Sequence, residues 1–176
     1  MAIHRLNHAV LYVREVARSV AFYRDVLGFS AIEGMSLPGA AFLRAPGSTN
    51  DHDLGLFELG AQAQPSPAGR TSVGLYHLAW EVDTLGDLDD LTARLAEAGA
   101  LVGATDHGTT KSLYGRDPDG LEFEIAWIVP AALLDQAAVA ARSRLRPLDL
   151  RREIERYGAE TPGGVGISRI AVDPRP

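Results

Sequence analysis

His8 and His77 each stand near the start of an apolar run of strand length, Leu6-Asn7-His8-Ala9-Val10-Leu11-Tyr12-Val13 and Leu75-Tyr76-His77-Leu78-Ala79-Trp80-Glu81-Val82. The stretch opened by His77 closes on Asp117-Pro118-Asp119-Gly120-Leu121-Glu122-Phe123-Glu124. Two imidazoles and one carboxylate are the donor set of a facial triad, which holds Fe(II) and leaves roughly three octahedral positions open. Those open positions are where exogenous ligands would bind, and a bound divalent cation eases deprotonation of such a ligand as it does of water.

Strand alternation puts Leu6, His8, Val10 and Tyr12 on one face and Leu75, His77, Ala79 and Glu81 on another. Glu122, Glu124 and Ala126 share a face of the last strand, so alternation alone leaves both glutamates open as the carboxylate donor. An internal repeat helps. A shift of 69 residues superimposes His8 on His77, and near the ends a shift of 66 matches Phe57-Glu58-Leu59 to Phe123-Glu124-Ile125. That match favours Glu124 and makes Glu58 its counterpart.

The elements that must position these residues also repeat. Residues 6–13 read as a strand and 16–28 as a helix, with Val16, Val20, Tyr23 and Leu27 on one face and Gly28 as its stop. Short strands follow at 29–32, 41–44 and 54–59. In the second stretch a strand at 75–82 precedes a helix at 84–98 whose Leu85, Leu88, Leu91 and Leu95 align, ended by Gly99. Strands are then expected near 100–104, 111–115 and 121–128, with Asp117-Pro118-Asp119-Gly120 forming a type I turn before the last. The fold expected is α+β: two tandem βαβββ modules (4–60 and 74–128, within a metal-binding domain 1–129) that form a concave mixed sheet. Residues 130–176 belong to neither repeat and read as a C-terminal helical extension, with helices at 130–145 and 148–157, that acts as a packing arm. Its arginines are interleaved with acids and read as a solvated face.

Composition narrows the chemistry. The chain has 176 residues, 46% of them hydrophobic, and mean hydropathy near zero, as in an ordinary globular protein. Without cysteine, any metal must be held by nitrogen and oxygen. A net charge of −6 argues against nucleic acid as a partner. No apolar run approaches the length of a membrane span, and the cytoplasm is the expected location. The lone lysine, Lys111, reads as a compositional bias without a role.

The phrase around His8, continued by Ser19-Val20-Ala21-Phe22-Tyr23-Arg24-Asp25-Val26-Leu27-Gly28-Phe29, resembles the opening module of the vicinal oxygen chelate (glyoxalase, bleomycin resistance, extradiol dioxygenase) superfamily. Gly74-Leu75-Tyr76-His77-Leu78-Ala79 and the stretch 117–124 resemble its second module, so the likeness covers roughly residues 4–128. Asp106-His107-Gly108-Thr109-Thr110-Lys111-Ser112-Leu113-Tyr114 is similar to the corresponding region of single-domain catechol 2,3-dioxygenases. The resemblance implies His8, His77 and Glu124 as metal ligands, Fe(II) or Mn(II) as cofactor, His107 as acid–base and Tyr114 as the residue that orients substrate. A small aromatic diol and O2 would be the reactants in aromatic catabolism, and a homodimer the assembly. Asn50-Asp51-His52-Asp53 resembles a histidine-rich segment of this branch and leaves His52 as a pocket-wall residue. Two other readings come from the same superfamily. A His8/Glu58/His77/Glu124 set resembles the four-ligand site of glyoxalase I, a lyase/isomerase, and other members bind drugs without a metal.

Overall fold

The computed structural model describes residues 2–3, 5–35, 37–69 and 71–164, and the described chain is α+β, with two mixed, open sheets and helices. The part of the expected extension beyond residue 164 lies outside the described residues. The chain divides into two compact units, one built from residues up to 72 with 117–121, the other from 73–116 and from 122 onward.

The first unit contains β1 (Ala9–Val13), α1 (Val16–Asp25), β2 (Ser30–Ala31), β3 (Ala40–Arg44) and β4 (Leu54–Glu58). Its strands lie in the order β1-β4-β3-β2, with β1 parallel to β4 and the other pairs antiparallel. Leu11 and Val13 of β1, Leu54 and Leu56 of β4 and Leu43 of β3 alternate onto one face and are buried with Tyr23 of α1. Val10 and Tyr12, of opposite parity, are exposed. The expected strand 6–13 begins at Ala9, so His8 immediately precedes it, and α1 ends at Asp25 rather than 28.

The second unit repeats that order with β5 (His77–Glu81), α2 (Leu85–Glu97), β6 (Leu101–Asp106), β7 (Thr110–Arg116) and β8 (Glu122–Ile128). Its sheet runs β5-β8-β7-β6, again with the first pair parallel, and adds β9 (Arg146–Pro147) beside β6. Helix α2 forms where its periodicity predicts. Thr84 caps it in a capping box with Asp87, and Leu85, Leu88, Leu91 and Leu95 are all buried. Each of these leucines contributes about 1.5–3 kcal/mol by leaving water.

The extension differs from the expected helix over 130–145. A 3-10 turn at Ala131–Leu133 ends in an extended Leu134, and a separate short helix, α3 (Gln136–Ala141), starts after it. The break comes from Asp135, whose side chain accepts the Ala138 amide and so begins a new helix instead of continuing the old one. Helix α4 (Leu150–Tyr157) is capped by Asp149 and stopped at Gly158, close to the expected 148–157. Among the described residues no helix is long and apolar enough to cross a membrane.

The segment 117–121 forms the expected tight turn, with the Gly120 amide on the Asp117 carbonyl and Gly120 at φ +84°. It also does something turn chemistry does not foretell. Asp119 accepts the Arg14 backbone amide (2.9 Å), Arg14 Nη1 (2.9 Å) and Arg18 Nη2 (2.6 Å), and the Tyr23 hydroxyl donates to Asp117 (3.3 Å). The turn that leads into β8 is thus clipped to the β1–α1 corner.

Burial pushes the Asp119 carboxyl up, but the hydrogen bonds from Arg14 and the charges of Arg18 and Arg14 outweigh it and hold the group below the usual carboxylate range. A folded value below the unfolded one, about 3.9, gives stability that is complete above that pH and drains away as pH falls through the folded value. Asp119→Asn is therefore expected to melt at a lower temperature at pH 7 and to lose less on acidification than the parent, as read in thermal melts between neutral and strongly acid pH. Equal melting temperatures at pH 7 would show the clip to be idle.

Candidate functional site

Ladder register decides which side chains share a face with His77. Ala79 pairs with Glu124, and Glu124 with Tyr114, so His77, Glu124 and Tyr114 project from the same side of the second sheet. His77 Nε2 lies 3.1 Å from Glu124 Oε2. Glu122, the other glutamate of β8 on that face, is taken up by Arg116 at 2.7 Å. The sheet therefore turns Glu124, and not Glu122, toward the imidazole.

Two donors about 2.1 Å from one ion and at right angles to each other are separated by about 3 Å. The His77–Glu124 spacing fits such a cis pair. His77 Nδ1 is buried and has no hydrogen-bond partner among the described residues. Among the described residues no group of three or more His, Cys, Asp or Glu side chains is close enough to hold a metal ion. His8 belongs to the first unit. There its Nδ1 meets Asn7 Oδ1 at 2.8 Å, the kind of contact that turns the opposite ring nitrogen toward a metal. Its ring packs on His52 at 4.5 Å between centroids, and His52 in turn packs on Phe42. Sequence reasoning left His52 on a pocket wall; the structure gives it a place against the His8 imidazole.

His107 and Tyr114 come together as a pair. The chain turns sharply between β6 and β7, and His107 Nε2 reaches Tyr114 Oη at 2.9 Å. Burial, the charge of Glu124 and the neighbouring Tyr76 push the Tyr114 phenol up to about 12. The phenol consequently keeps its proton through neutral pH. If that one proton is directed to the Glu124 carboxylate, Oη accepts from His107 Nε2–H and the free imidazole lone pair lies on Nδ1. His77, Glu124, Tyr114 and His107 thus form one connected polar series in the second unit. Tyr76, exposed and with its ring tilted against that of His77 at 4.6 Å between centroids, flanks it.

Glu58 is where the structure departs from the sequence pattern. Ala9 pairs with Leu54 in the first ladder as Leu78 pairs with Phe123 in the second, so the shift of 69 that relates the histidines persists through the strands. Under it Glu124 corresponds to Gly55, and the local likeness of 57–59 to 123–125 is out of register. Glu58 shares the parity of Leu54 and Leu56, on the helix-covered face, and its Oε2 accepts the Val16 amide at 3.0 Å. A carboxylate on the first amide of α1 is a helix cap, and it also answers the positive end of the helix dipole. Gly55 offers no donor, and a Cβ placed there would touch Val10 and the Phe42 ring at 3.4–3.5 Å. Glu58→Ala is expected to cost about 0.5–1 kcal/mol of stability and to leave metal content unchanged; loss of bound metal in that variant would restore Glu58 as a ligand.

Comparison with known proteins follows the same lines. Residues 5–125 match the family model of the Glyoxalase/Bleomycin resistance protein/Dioxygenase superfamily. The chain is 35% identical over 122 residues to biphenyl-2,3-diol 1,2-dioxygenase 3 of Rhodococcus globerulus, covering 69% of this chain and 62% of that one. It is 33% identical over 120 residues to catechol-2,3-dioxygenase of Bacillus subtilis (strain 168), covering 68% of this chain and 40% of that one. The chain therefore spans less than two thirds of either relative. Among solved structures, a glyoxylase/bleomycin resistance protein/dioxygenase domain from Frankia sp. EAN1pec superposes with a TM-score of 0.60 at 26% identity, over 71% of this chain and 92% of that one.

Proposed function

The chain belongs to the Glyoxalase/Bleomycin resistance protein/Dioxygenase superfamily, and from that premise we propose that it is a metal-dependent extradiol dioxygenase that opens the ring of a catechol-type diol with O2. The observation that carries the reading is the one at the strand ladders. The position equivalent to Glu124 is Gly55, while Glu58 caps α1 on the other face, which supports a donor set of His8, His77 and Glu124 without a fourth carboxylate. Three donors leave the open positions that two reactants need, whereas four suit an isomerase with a single bound substrate. Both similar dioxygenases named above, whose names specify aromatic diols, point the same way.

His77 and Glu124, with His8 as the third ligand, would hold Fe(II), and the same nitrogen and oxygen donors accept Mn(II). The bound ion would supply Lewis acidity toward the diol and a shared centre for diol and oxygen. The remaining work falls to the chain. Tyr114, kept protonated by burial and by Glu124, would turn its one proton from Glu124, engaged by the ion once it is bound, to a substrate oxygen and so fix its orientation. His107, held at Tyr114, takes a proton from the diol hydroxyl and returns it as the ring opens, an exchange suited to an imidazole at neutral pH.

The test is reconstitution of the full chain with Fe(II), and in parallel Mn(II), under anaerobic conditions, followed by a panel of catechols and biphenyl diols in air. Coloured ring-cleavage products are expected with at least one metal. No product from any diol would sink the reading, and Ni(II)- or Zn(II)-dependent isomerisation of a hemithioacetal would replace it with the glyoxalase one.

A further inference from the structure

We propose that Lys111 is a positioning residue for His107, the hub of a buried ion cluster on the helix-covered face of the second sheet. That face lies behind the one on which His107 meets Tyr114. The proposal rests on the dioxygenase reading only for the catalytic meaning of His107; the positioning itself is a property of the fold.

Lys111 is 1% exposed, and its Nζ donates to Asp106 Oδ1 at 2.5 Å and to the Gly108 carbonyl at 3.3 Å and pairs with Glu153 Oε2 at 3.0 Å. Asp106 Oδ1 also accepts the Gly108 amide at 2.8 Å, and Arg146 from β9 donates to Asp106 Oδ2 at 2.9 Å. His107 is the residue between Asp106 and Gly108. Its own amide bonds to the Thr110 carbonyl, and the Thr109 amide bonds to its carbonyl. The residues on either side of His107 are therefore tied to a single ammonium, Asp106 through its side chain and Gly108 through its carbonyl, while the two peptide units that flank His107 are held by Thr110, Thr109 and the Asp106 carboxylate.

The extension completes the clamp. Glu153 is the buried residue of α4, Tyr157 places its ring 5.8 Å from Lys111 Nζ, and β9 brings Arg146. Helix α3 seals the turn from the other side. Gly108 has φ +79°, and a Cβ there would stand 2.3 Å from the Ala138 carbonyl oxygen and 3.0 Å from Ala141, so the turn fits under α3 only as glycine. Two acids, Lys111, Arg146 and, at 3.9 Å from Glu153, Arg156 gather where a plain packing role needs only apolar side chains, and a buried ion pair is itself weak support for stability. An imidazole that must meet a phenol at 2.9 Å needs a single geometry, because small misplacements are costly in rate.

The experiment reads the His107 ring directly, in the metal-free full chain labelled with 15N-histidine, its signals assigned by their loss in His107→Gln. The parent is expected to show His107 in one tautomer. In Lys111→Met its nitrogens should shift toward the averaged values of a free histidine, and in Glu153→Gln they should shift part of the way. Leu91→Ala, a core change on α2 far from the turn in sequence, serves as the stability control and should leave them in place. If Lys111→Met does not fold, Glu153→Gln decides. In the metal-loaded protein kcat should fall about tenfold in Lys111→Met while KM changes little. Coincident His107 signals in the parent and in the folded clamp variants would overturn the proposal, as would equal shifts in Leu91→Ala. Shifted signals in a chain that cleaves no diol would leave the positioning intact and remove only the dioxygenase reading.

Discussion

His77→Ala is expected to bind no stoichiometric Fe(II) or Mn(II) and to show no ring cleavage above background. Removing the imidazole takes one of two donors that face each other at 3.1 Å and leaves Glu124 opposite Tyr114 without that nitrogen. Changes that touch only the partners of ligands typically cost 10–100-fold in affinity, so loss of a ligand from a three-donor set should exceed about 100-fold. His8→Ala and Glu124→Ala should behave alike if the three residues serve one ion. Glu122→Ala is the informative contrast. It breaks a rather exposed pair with Arg116, worth about 0–1 kcal/mol, and should keep both metal and activity. Metal content by mass spectrometry, product absorbance and a thermal melt on each purified variant are sufficient. Full metal occupancy in folded His77→Ala, or its loss in Glu122→Ala, would be incompatible with the site as drawn.

Much of this arrangement is legible in the chain before any coordinates. Periodicity reaches the inside of α2 residue by residue, because four leucines on one face and a Thr84 cap leave little else for the segment to do. The repeated order of strand, helix and three strands reappears as two sheets with the same neighbour order and the same parallel first pair. Pairing between strands is harder to read. The Phe-Glu-Leu at 57–59 looks like the Phe-Glu-Ile at 123–125, yet register is set by which face each strand buries, and Leu54 and Leu56 turn Glu58 toward α1. A hydropathy pattern is equally blind to Lys111. A buried ammonium is tolerated only because Asp106, Gly108 and Glu153 converge on it from β6, the following turn and α4, and nothing local in the sequence announces that convergence. Asp119 falls between the two cases: its turn is plain from the Pro and Gly around it, its grip on Arg14 and Arg18 is not.

His107→Ala is expected to lower kcat by about 10²–10³-fold, the range for loss of a general acid–base group, and Tyr114→Phe by about 10-fold or more through lost orientation of the substrate. The double variant should lose clearly less than the product of the two, because the side chains act through one hydrogen bond of 2.9 Å and each is partly disabled without the other. The phenol adds a pH criterion. Its folded value, raised to about 12, lies above the unfolded value near 10, so the protonated form and the stability linked to it persist below about pH 10 and are lost only as pH rises through the folded value. Tyr114 therefore contributes no limb to the pH–rate profile in the neutral range, and any limb seen there should survive in Tyr114→Phe. Fully multiplicative losses in the cycle, or a neutral-range limb that disappears with the Tyr114 hydroxyl alone, would separate the two residues and leave His107 without its assigned partner.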